Sequence, residues 1–220
     1  MRSPATVPAP RQRLQAPRRR EAIVDAVVSL FAERGFRGAT TRELAAAAGI
    51  SEPVLYQHFE TKRALYSAII DSKSQEGPKD IEELLAPFIA SSDDRGFFTK
   101  LADTILDWYL DDPRFIRLLL FSAMEAHDLS DLFYERHVVV YYRTLTAYIE
   151  RRMKQRAFRR MDPYLAARAF SGMVAHQGLI GAIFSPGDLM ADRRKLIDAI
   201  VAIFLNGMRR PSALQKRRAS

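Results

Sequence analysis

Apolar residues recur at helical spacing along most of this chain, and this periodicity limits the folds open to it more than any other feature. Ile23, Val27, Leu30 and Phe31 form one such series, spaced i, i+4, i+7 and i+8, which places them on one face of a helix. No segment alternates apolar and polar residues as a half-buried strand does. The pattern therefore predicts an all-α fold.

Capping residues, glycines and prolines divide this pattern into separate helices. Thr40 and Glu43 form a capping box that opens a helix near residue 41, Gly35 marks the end of the helix before it, and Ser51 and Thr61 are placed to cap the next two. Proline is expected to break the chain at 77–78, to kink or end a helix at 87, and to open helices after Asp112 and Asp162. The predicted helices cover the ranges 18–35, 41–48, 52–59, 62–76, 81–90, 95–110, 113–126, 130–156, 163–184 and 190–209.

The charge of the chain is concentrated at its two ends. Residues 1–20 carry +6 and residues 209–220 carry +5 of a total of +8, so the segment between them carries −3. Basic ends of this kind are solvated tails or arms that bind nucleic acid. We predict a disordered basic leader (1–17), a small helical domain (18–73), a larger helical domain (74–209) and a basic tail (210–220).

Several classes of site are excluded by what the sequence lacks. Without cysteine there is no disulfide, thiolate metal site or cysteine nucleophile, which suits a reducing cytoplasm. We expect no membrane span, since no apolar run approaches about 18 residues, and no signal peptide. P-loop, nucleophile-elbow and zincin motifs are missing, and Glu125/His127 and Glu135/His137 lack the Glu-x-x-His spacing of di-iron bundles. We therefore expect no metal and no cofactor.

The segment AAAAGISEPVLYQHFETK (45–62) places two short helices around Gly49. Leu55 and Phe59 lie four residues apart and face inward from the second helix. Packing does not explain its other residues, and together they suit the major groove of DNA, where polar and apolar side chains meet base edges. Those outward residues are Pro53, Val54, Tyr56, Gln57 and His58. The segment is interpreted as a helix-turn-helix with 52–59 as its recognition helix.

The wider segment TTRELAAAAGISEPVLYQHFETKRALY resembles the DNA-binding domain of the tetracycline-repressor (TetR) family of bacterial transcription regulators, over about residues 18–70. The resemblance implies a cytoplasmic, homodimeric regulator, a repressor that a small apolar or aromatic effector releases from a palindromic operator. It also implies DNA contacts at matching positions. Bases are assigned to Arg42, Pro53, Val54 and Gln57, and phosphates to Thr40, Thr41, Tyr56, His58 and Lys62.

Elementary chemistry agrees with part of this assignment. Arg42 lies in the first turn of its helix, from which it can extend to guanine, and Lys62 lies at a helix N-terminus, where anions bind readily. Residues 21–63 nevertheless carry a net charge of −1, and Glu52 near the groove would repel phosphate or accept from cytosine N4. We therefore expect an N-terminal arm to supply attraction to DNA. Its residues are Arg18, Arg19 and Arg20.

The resemblance implies that the larger domain holds an effector pocket and dimerises through its last two helices. Pocket candidates are Trp108, Tyr109, Phe121, Met124, His127, Tyr142 and His176, of which His176 lies in an otherwise apolar helix and would need a polar partner if buried. The final helix is apolar nearly all round between Ile197 and Leu205, so we expect a partner chain to bury it. The predicted dimer contacts are Phe170, Met173, Gln177, Ile180, Ile197, Ile200 and Phe204.

Two other functions remain open at this point. A DNA-architectural protein would use the basic tails without sequence preference, and would show a steep dependence of affinity on salt with no preferred site. A helical-bundle enzyme is the second, although none of the motifs above supports it.

Overall fold

The computed structural model describes residues 16–76, 81–125, 133–184 and 192–209. The described chain is helical throughout, which confirms the all-α prediction, and it contains a single isolated antiparallel bridge, between Phe158 and Arg209. The helices are α1 (Ala16–Gly38), α2 (Thr41–Ala47), α3 (Glu52–His58), α4 (Lys62–Glu76), α5 (Ile81–Ser91), α6 (Asp94–Leu110), α7 (Pro113–Met124), α8 (Val139–Lys154, preceded by a π-helical turn at Tyr134–Val138), α9 (Pro163–Phe184) and α10 (Arg193–Met208).

Most predicted helix starts are confirmed by their capping bonds. The Thr40–Glu43 capping box is complete, and the Thr61 hydroxyl accepts from the backbone N–H of Ala64 at 3.0 Å. The side chain of Asp112 caps α7, and that of Asp162 accepts from the second residue of α9 at 2.8 Å. Ser51 occupies the N-cap position of α3, but the prediction that its side chain caps this helix is wrong.

Of two predicted breaks, the one at Gly35 is confirmed, whereas the helix does not end at Pro87. Pro87 lies inside α5, which continues to residue 91, so this proline does not end the helix. Gly35 adopts φ 69° and ψ −179°, a conformation essentially restricted to glycine, and the chain then makes one further short turn to residue 38. The predicted break at 77–78, the interval between the predicted helices 163–184 and 190–209 at residues 185–189, the leader before residue 16 and the tail after 209 lie outside the described residues.

The described residues form two hydrophobic cores, and the first of them draws on both predicted domains. It contains Phe31, Leu44, Leu55 and Phe59 from the helix-turn-helix region, together with residues of α7 and of the segment that leads into α8. The contributions from the larger domain are Phe115, Leu118 and Phe133. The core therefore continues across the predicted boundary at 73–74, and α7 is built into the base of the smaller domain.

The second core fills the larger domain and corrects the prediction for the dimer. Phe170 is 0% exposed within one chain, and its ring centroid lies 5.1 Å from that of Phe204 and 4.8 Å from that of Phe98. Ile197 and Ile200 are buried in the same cluster. One chain thus buries the inner side of α10 against α6 and α9. Phe170, Ile197, Ile200 and Phe204 belong to the core of a single chain and are not the predicted dimer contacts.

A paired charge joins two helices at the edge of this second core. Arg152 of α8 donates to both carboxylate oxygens of Asp94 at the start of α6, at 2.7 and 2.9 Å. The hydroxyl of Tyr148 donates to the same carboxylate at 2.8 Å. Since these side chains are largely shielded from water, the cluster fixes α8 against α6 and with it the frame of the larger domain.

Candidate DNA interface and effector domain

The turn between α2 and α3 is fixed by backbone bonds and a glycine. Gly49 has φ 65°, and its N–H and that of Ile50 donate to carbonyls at the end of α2, both at 3.0 Å. Leu44 and Leu55 are buried on either side of the turn. This arrangement holds α3 against α2 by its inner face only, so its outer face remains available.

The outer face of α3 carries the residues that the sequence assigned to DNA. Pro53, Tyr56 and Gln57 are exposed, and Val54 and His58 are partly exposed. Arg42 is exposed on α2 beside them. The structure therefore brings the four predicted base contacts, and Tyr56 and His58 with them, to one surface.

Thr40 and Thr41 already donate to carboxylates within the chain. The Thr40 hydroxyl donates to Glu43 at 2.7 Å, and the Thr41 hydroxyl donates to Glu52, the first residue of α3. Arg34 also pairs with Glu43. Hydrogen bonds from the backbone and side chain of Thr40 and the nearby Arg34 guanidinium lower the pKa of Glu43 to about 2, so this carboxylate stays ionised and keeps its role as a cap.

Arg18, Arg19 and Arg20 lie in α1, in agreement with the predicted helix 18–35, and their attraction to DNA stays a prediction. The guanidinium of Arg20 donates to the carbonyl of His58 at the end of α3 and lies 4.1 Å from the ring centroid of Phe59. A cation at a helix C-terminus satisfies its last carbonyls and its dipole. Arg20 thus holds the end of the predicted recognition helix, a role that sequence reasoning missed because 38 residues separate the two.

Lys62 opens α4 and lies over an aromatic ring. Its ammonium is 4.5 Å from the ring centroid of Phe36. Partial burial lowers the pKa of Lys62, while the carboxylates of Glu125 and Glu43 act in the opposite direction. The lysine is therefore held in place by the protein before any anion arrives, within a cluster that includes Glu125 from the other domain.

The predicted pocket residues do not line one cavity. Trp108 stacks on Phe133, with ring centroids 5.2 Å apart, and packs against the first core. The neighbouring Tyr109 lies instead against Gly178 of α9, where an added Cβ would be 2.7 Å from the tyrosine ring. Phe121 lies beside Gly35 at the junction of the domains.

The remaining pocket candidates are dispersed or on the surface. Met124 is 74% exposed, and His176 is also exposed, so His176 is not a buried polar group that would need a partner. His127 lies outside the described residues. Tyr142 lines a groove of about 380 Å³ with Tyr134, Arg143, Thr146 and Tyr164.

A buried polar pair in the larger domain escaped the sequence prediction. The hydroxyls of Tyr141 and Ser171 are 2.8 Å apart between α8 and α9, and burial raises the pKa of Tyr141. Nothing in the local sequence separates Tyr141 from Tyr142, because the pairing depends on a serine 30 residues away. A second, more charged groove of about 850 Å³ lies between α6 and α10 and includes Lys100, Asp103 and Arg193.

The described residues contain no group of three or more His, Cys, Asp or Glu side chains arranged to hold a metal ion. No helix among them is both long and apolar enough to cross a membrane.

Two family profiles match this chain along most of its described length. The profile described as "Bacterial regulatory proteins, tetR family" matches residues 23–69, and that of the "AefR-like transcriptional repressor, C-terminal domain" matches residues 98–207. The chain belongs to the TetR family. The second match covers most of the larger domain.

Curated relatives of this TetR-family chain match over part of its length. The tetracycline repressor protein class D of Escherichia coli is 48% identical over 50 residues, which are 23% of each protein. The transcriptional activator FasR of Mycolicibacterium smegmatis is 30% identical over 107 residues, 49% of this chain and 48% of that protein. The alignments thus span between about a quarter and a half of these relatives.

Solved structures of the family share the whole fold. A TetR-family regulator of Mesorhizobium loti superposes with a TM-score of 0.61 at 20% identity, covering 90% of this chain and all of the other. AibR, solved with isovaleryl coenzyme A and operator DNA, gives 0.60 at 19% identity, covering 84% and 97%. At these identities the similarity establishes the fold and nothing finer.

Proposed function

We propose that this protein is a homodimeric, sequence-specific transcriptional repressor of the bacterial cytoplasm that leaves a palindromic operator when a small effector binds. The outer face of α3 carries this proposal. A two-turn helix presents a proline, a tyrosine and a glutamine to solvent, and these residues have no packing role. Membership of a family of regulators supports the same function.

Bases and phosphates are divided between two groups of residues in this proposal. Arg42, Pro53, Val54 and Gln57 read base edges in the major groove, while Tyr56, His58 and Lys62 hold phosphates. Thr40 and Thr41 belong to the second group only if their hydroxyls give up Glu43 and Glu52 as hydrogen-bond acceptors and donate to phosphate instead. Specific binding therefore includes the cost of opening these two internal hydrogen bonds.

Dimerisation is assigned to the exposed sides of α9 and α10. Leu165 is exposed on α9, as are the small residues Ala169 and Gly172 that follow on the same side, and Ile203 is exposed on α10. An added Cβ at Gly172 would meet no atom within 4 Å, so another helix could approach closely there. Of the residues predicted from sequence, Met173, Gln177 and Ile180 are partly exposed and remain candidates for this surface.

The effector is proposed to be a small apolar or aromatic molecule bound in the larger domain. Aromatic residues from α6, α8 and α9 converge there, and the Tyr141–Ser171 pair supplies polar atoms inside an apolar surrounding. The AibR structure, which contains isovaleryl coenzyme A and operator DNA, is consistent with a small molecule acting on a regulator of this fold. An effector lowers operator affinity by as much as it favours the other conformation.

Activation of transcription, in place of repression, is the second candidate function. It is favoured by the similarity to the transcriptional activator FasR, which extends over 107 residues, 49% of this chain. Transcription in vitro from a promoter containing the selected operator separates the two. Repression requires less transcript when the protein is added, whereas activation requires more.

Substitutions on α3 and α4 should separate base reading from phosphate binding. An operator is first selected from a random DNA pool and then altered one base pair at a time. We expect Gln57→Ala to change preference at one position in each half-site, by about 1–3 kcal/mol. We expect Lys62→Ala to weaken binding to every sequence alike and to reduce the salt slope by about one unit per protomer.

Ala46→Ser, a change at an exposed position of α2 outside both groups of residues, serves as the control. It should leave the affinity for every altered operator unchanged. Equal losses across the panel for Gln57→Ala would contradict its assignment to a base. A native protein that binds every sequence in the pool equally would instead favour the architectural function.

A further inference from the structure

The end of α1 is attached to the larger domain through one carboxylate. Glu125, the residue that follows α7, accepts from the backbone N–H groups of Phe36 at 3.1 Å and Arg37 at 3.3 Å. These donors lie in the short turn after Gly35, where the α1 hydrogen-bond pattern is interrupted. Glu125 therefore holds the backbone of that turn from outside α1.

The backbone at Gly35 packs closely against Glu125 and Phe121. Besides its positive φ, Gly35 lies so close to α7 that an added Cβ would be 2.7 Å from Oε1 of Glu125 and 3.2 Å from Phe121. The close approach depends on the glycine. The positions of Glu125 and of the Phe36 backbone are thus fixed relative to each other.

Phe36 links this contact to the proposed DNA surface. Its ring packs edge-on against Tyr66, with centroids 5.4 Å apart, and lies 4.5 Å from the ammonium of Lys62. The hydroxyl of Tyr66 in turn donates to the carbonyl of Leu118 in α7 at 2.9 Å. The aromatic pair of Phe36 and Tyr66 beside Lys62 is therefore anchored to Leu118 in α7 and to Glu125, the residue that follows α7.

We infer that Glu125 is a positioning residue for the phosphate contact of Lys62, acting through the backbone and ring of Phe36. The inference rests on the proposed function, in which Lys62 binds phosphate. A ring fixed beneath an ammonium restricts the conformations of a long side chain and so reduces the entropy lost when it binds an anion. Removal of the Glu125 carboxylate releases Phe36, and Lys62 then loses its preorganised position.

The dependence of operator affinity on salt tests this chain of contacts. Each phosphate contact contributes about one unit to the slope of log K against log salt, and general weakening of the fold does not remove a counterion. We expect Glu125→Ala to lower the slope by up to one unit per protomer. In the double variant with Lys62→Ala, we expect no further decrease beyond that of Lys62→Ala alone.

Three further variants distinguish the position of the Phe36 turn, the charge of Glu125 and a general weakening of the contact between α1 and α7. Glu125→Gln keeps an acceptor oxygen for the turn but loses the charge, so it should retain most of the slope if position matters. Phe36→Leu removes the ring without touching Glu125 and should reproduce the effect of Glu125→Ala. Ser29→Ala removes a different α1–α7 contact, the 3.2 Å bond from Arg114, and should leave the slope unchanged.

The results that would contradict this proposal differ according to which contact is wrong. If Lys62→Ala leaves the slope unchanged, the phosphate contact in the proposed function is wrong. If Lys62→Ala lowers the slope while Glu125→Ala and Phe36→Leu do not, the positioning role is wrong. Should Glu125→Ala fail to fold, as judged by circular dichroism and thermal unfolding, the comparison of Phe36→Leu with Ser29→Ala still decides the matter.

Discussion

Replacement of Phe204 with glutamate is expected to unfold the larger domain. Phe204 is 6% exposed and lies between Phe98 and Phe170, with ring centroids 4.8 and 5.1 Å away. Loss of a buried phenylalanine costs about 3–5 kcal/mol, and burial of an unpaired carboxylate costs several more. The sum is comparable to the whole stability of a typical domain, about 5–15 kcal/mol. Urea unfolding followed by circular dichroism measures the loss.

Phe204→Leu is the matched control for this prediction. It keeps an apolar side chain at the site, so we expect a smaller loss of stability and a cooperative unfolding transition at lower urea concentration. A folded Phe204→Glu protein with native stability would show that this side chain is not held in the core as described.

Ile203→Glu, one residue earlier, is expected to leave the chain folded and to abolish the dimer. Ile203 is 66% exposed, so the monomer accepts a charge there at little cost, whereas a two-fold interface would bring two carboxylates together away from water. A monomer engages a single half-site. Loss of the second, linked contact should reduce operator affinity by about 10²–10⁴-fold. Sedimentation velocity and operator binding on one sample measure both effects.

Ala86→Glu adds the same charge at an exposed position of α5 and controls for the electrostatic repulsion of DNA. It should remain dimeric with near-native affinity. A dimeric Ile203→Glu protein with native operator affinity would place the subunit contact on another surface of the molecule.

Local signals predicted the DNA-binding region because its geometry is encoded in neighbouring residues. The Thr40–Glu43 box, the glycine at position 49 and the four-residue spacing of Leu55 and Phe59 each act within a few positions of the chain. They fix both the helix starts and the outward face of α3. The roles of Arg20 and Glu125 were missed for the opposite reason, since their partners lie 38 and 88–89 residues away.

The larger domain was predicted as a set of helices but not as a packed structure. An apolar surface around α10 indicates burial, yet periodicity does not tell whether the same chain or a second copy provides the cover. Here Phe98 and Phe170 provide it. Similarly, Trp108 and Tyr109 are adjacent in sequence but pack against different parts of the molecule, because neighbouring helical positions diverge by about 100°.

The shared core at the base of α7 constrains how such a protein can change over generations. Phe115 and Leu118 complete the interior of the DNA-binding region although they belong to the larger domain. A recombination event that exchanged only the segment after residue 76 would import a foreign α7 and leave that interior mismatched. An exchange of domains that kept this interior intact would therefore have to include α7 together with the helices of residues 16–76.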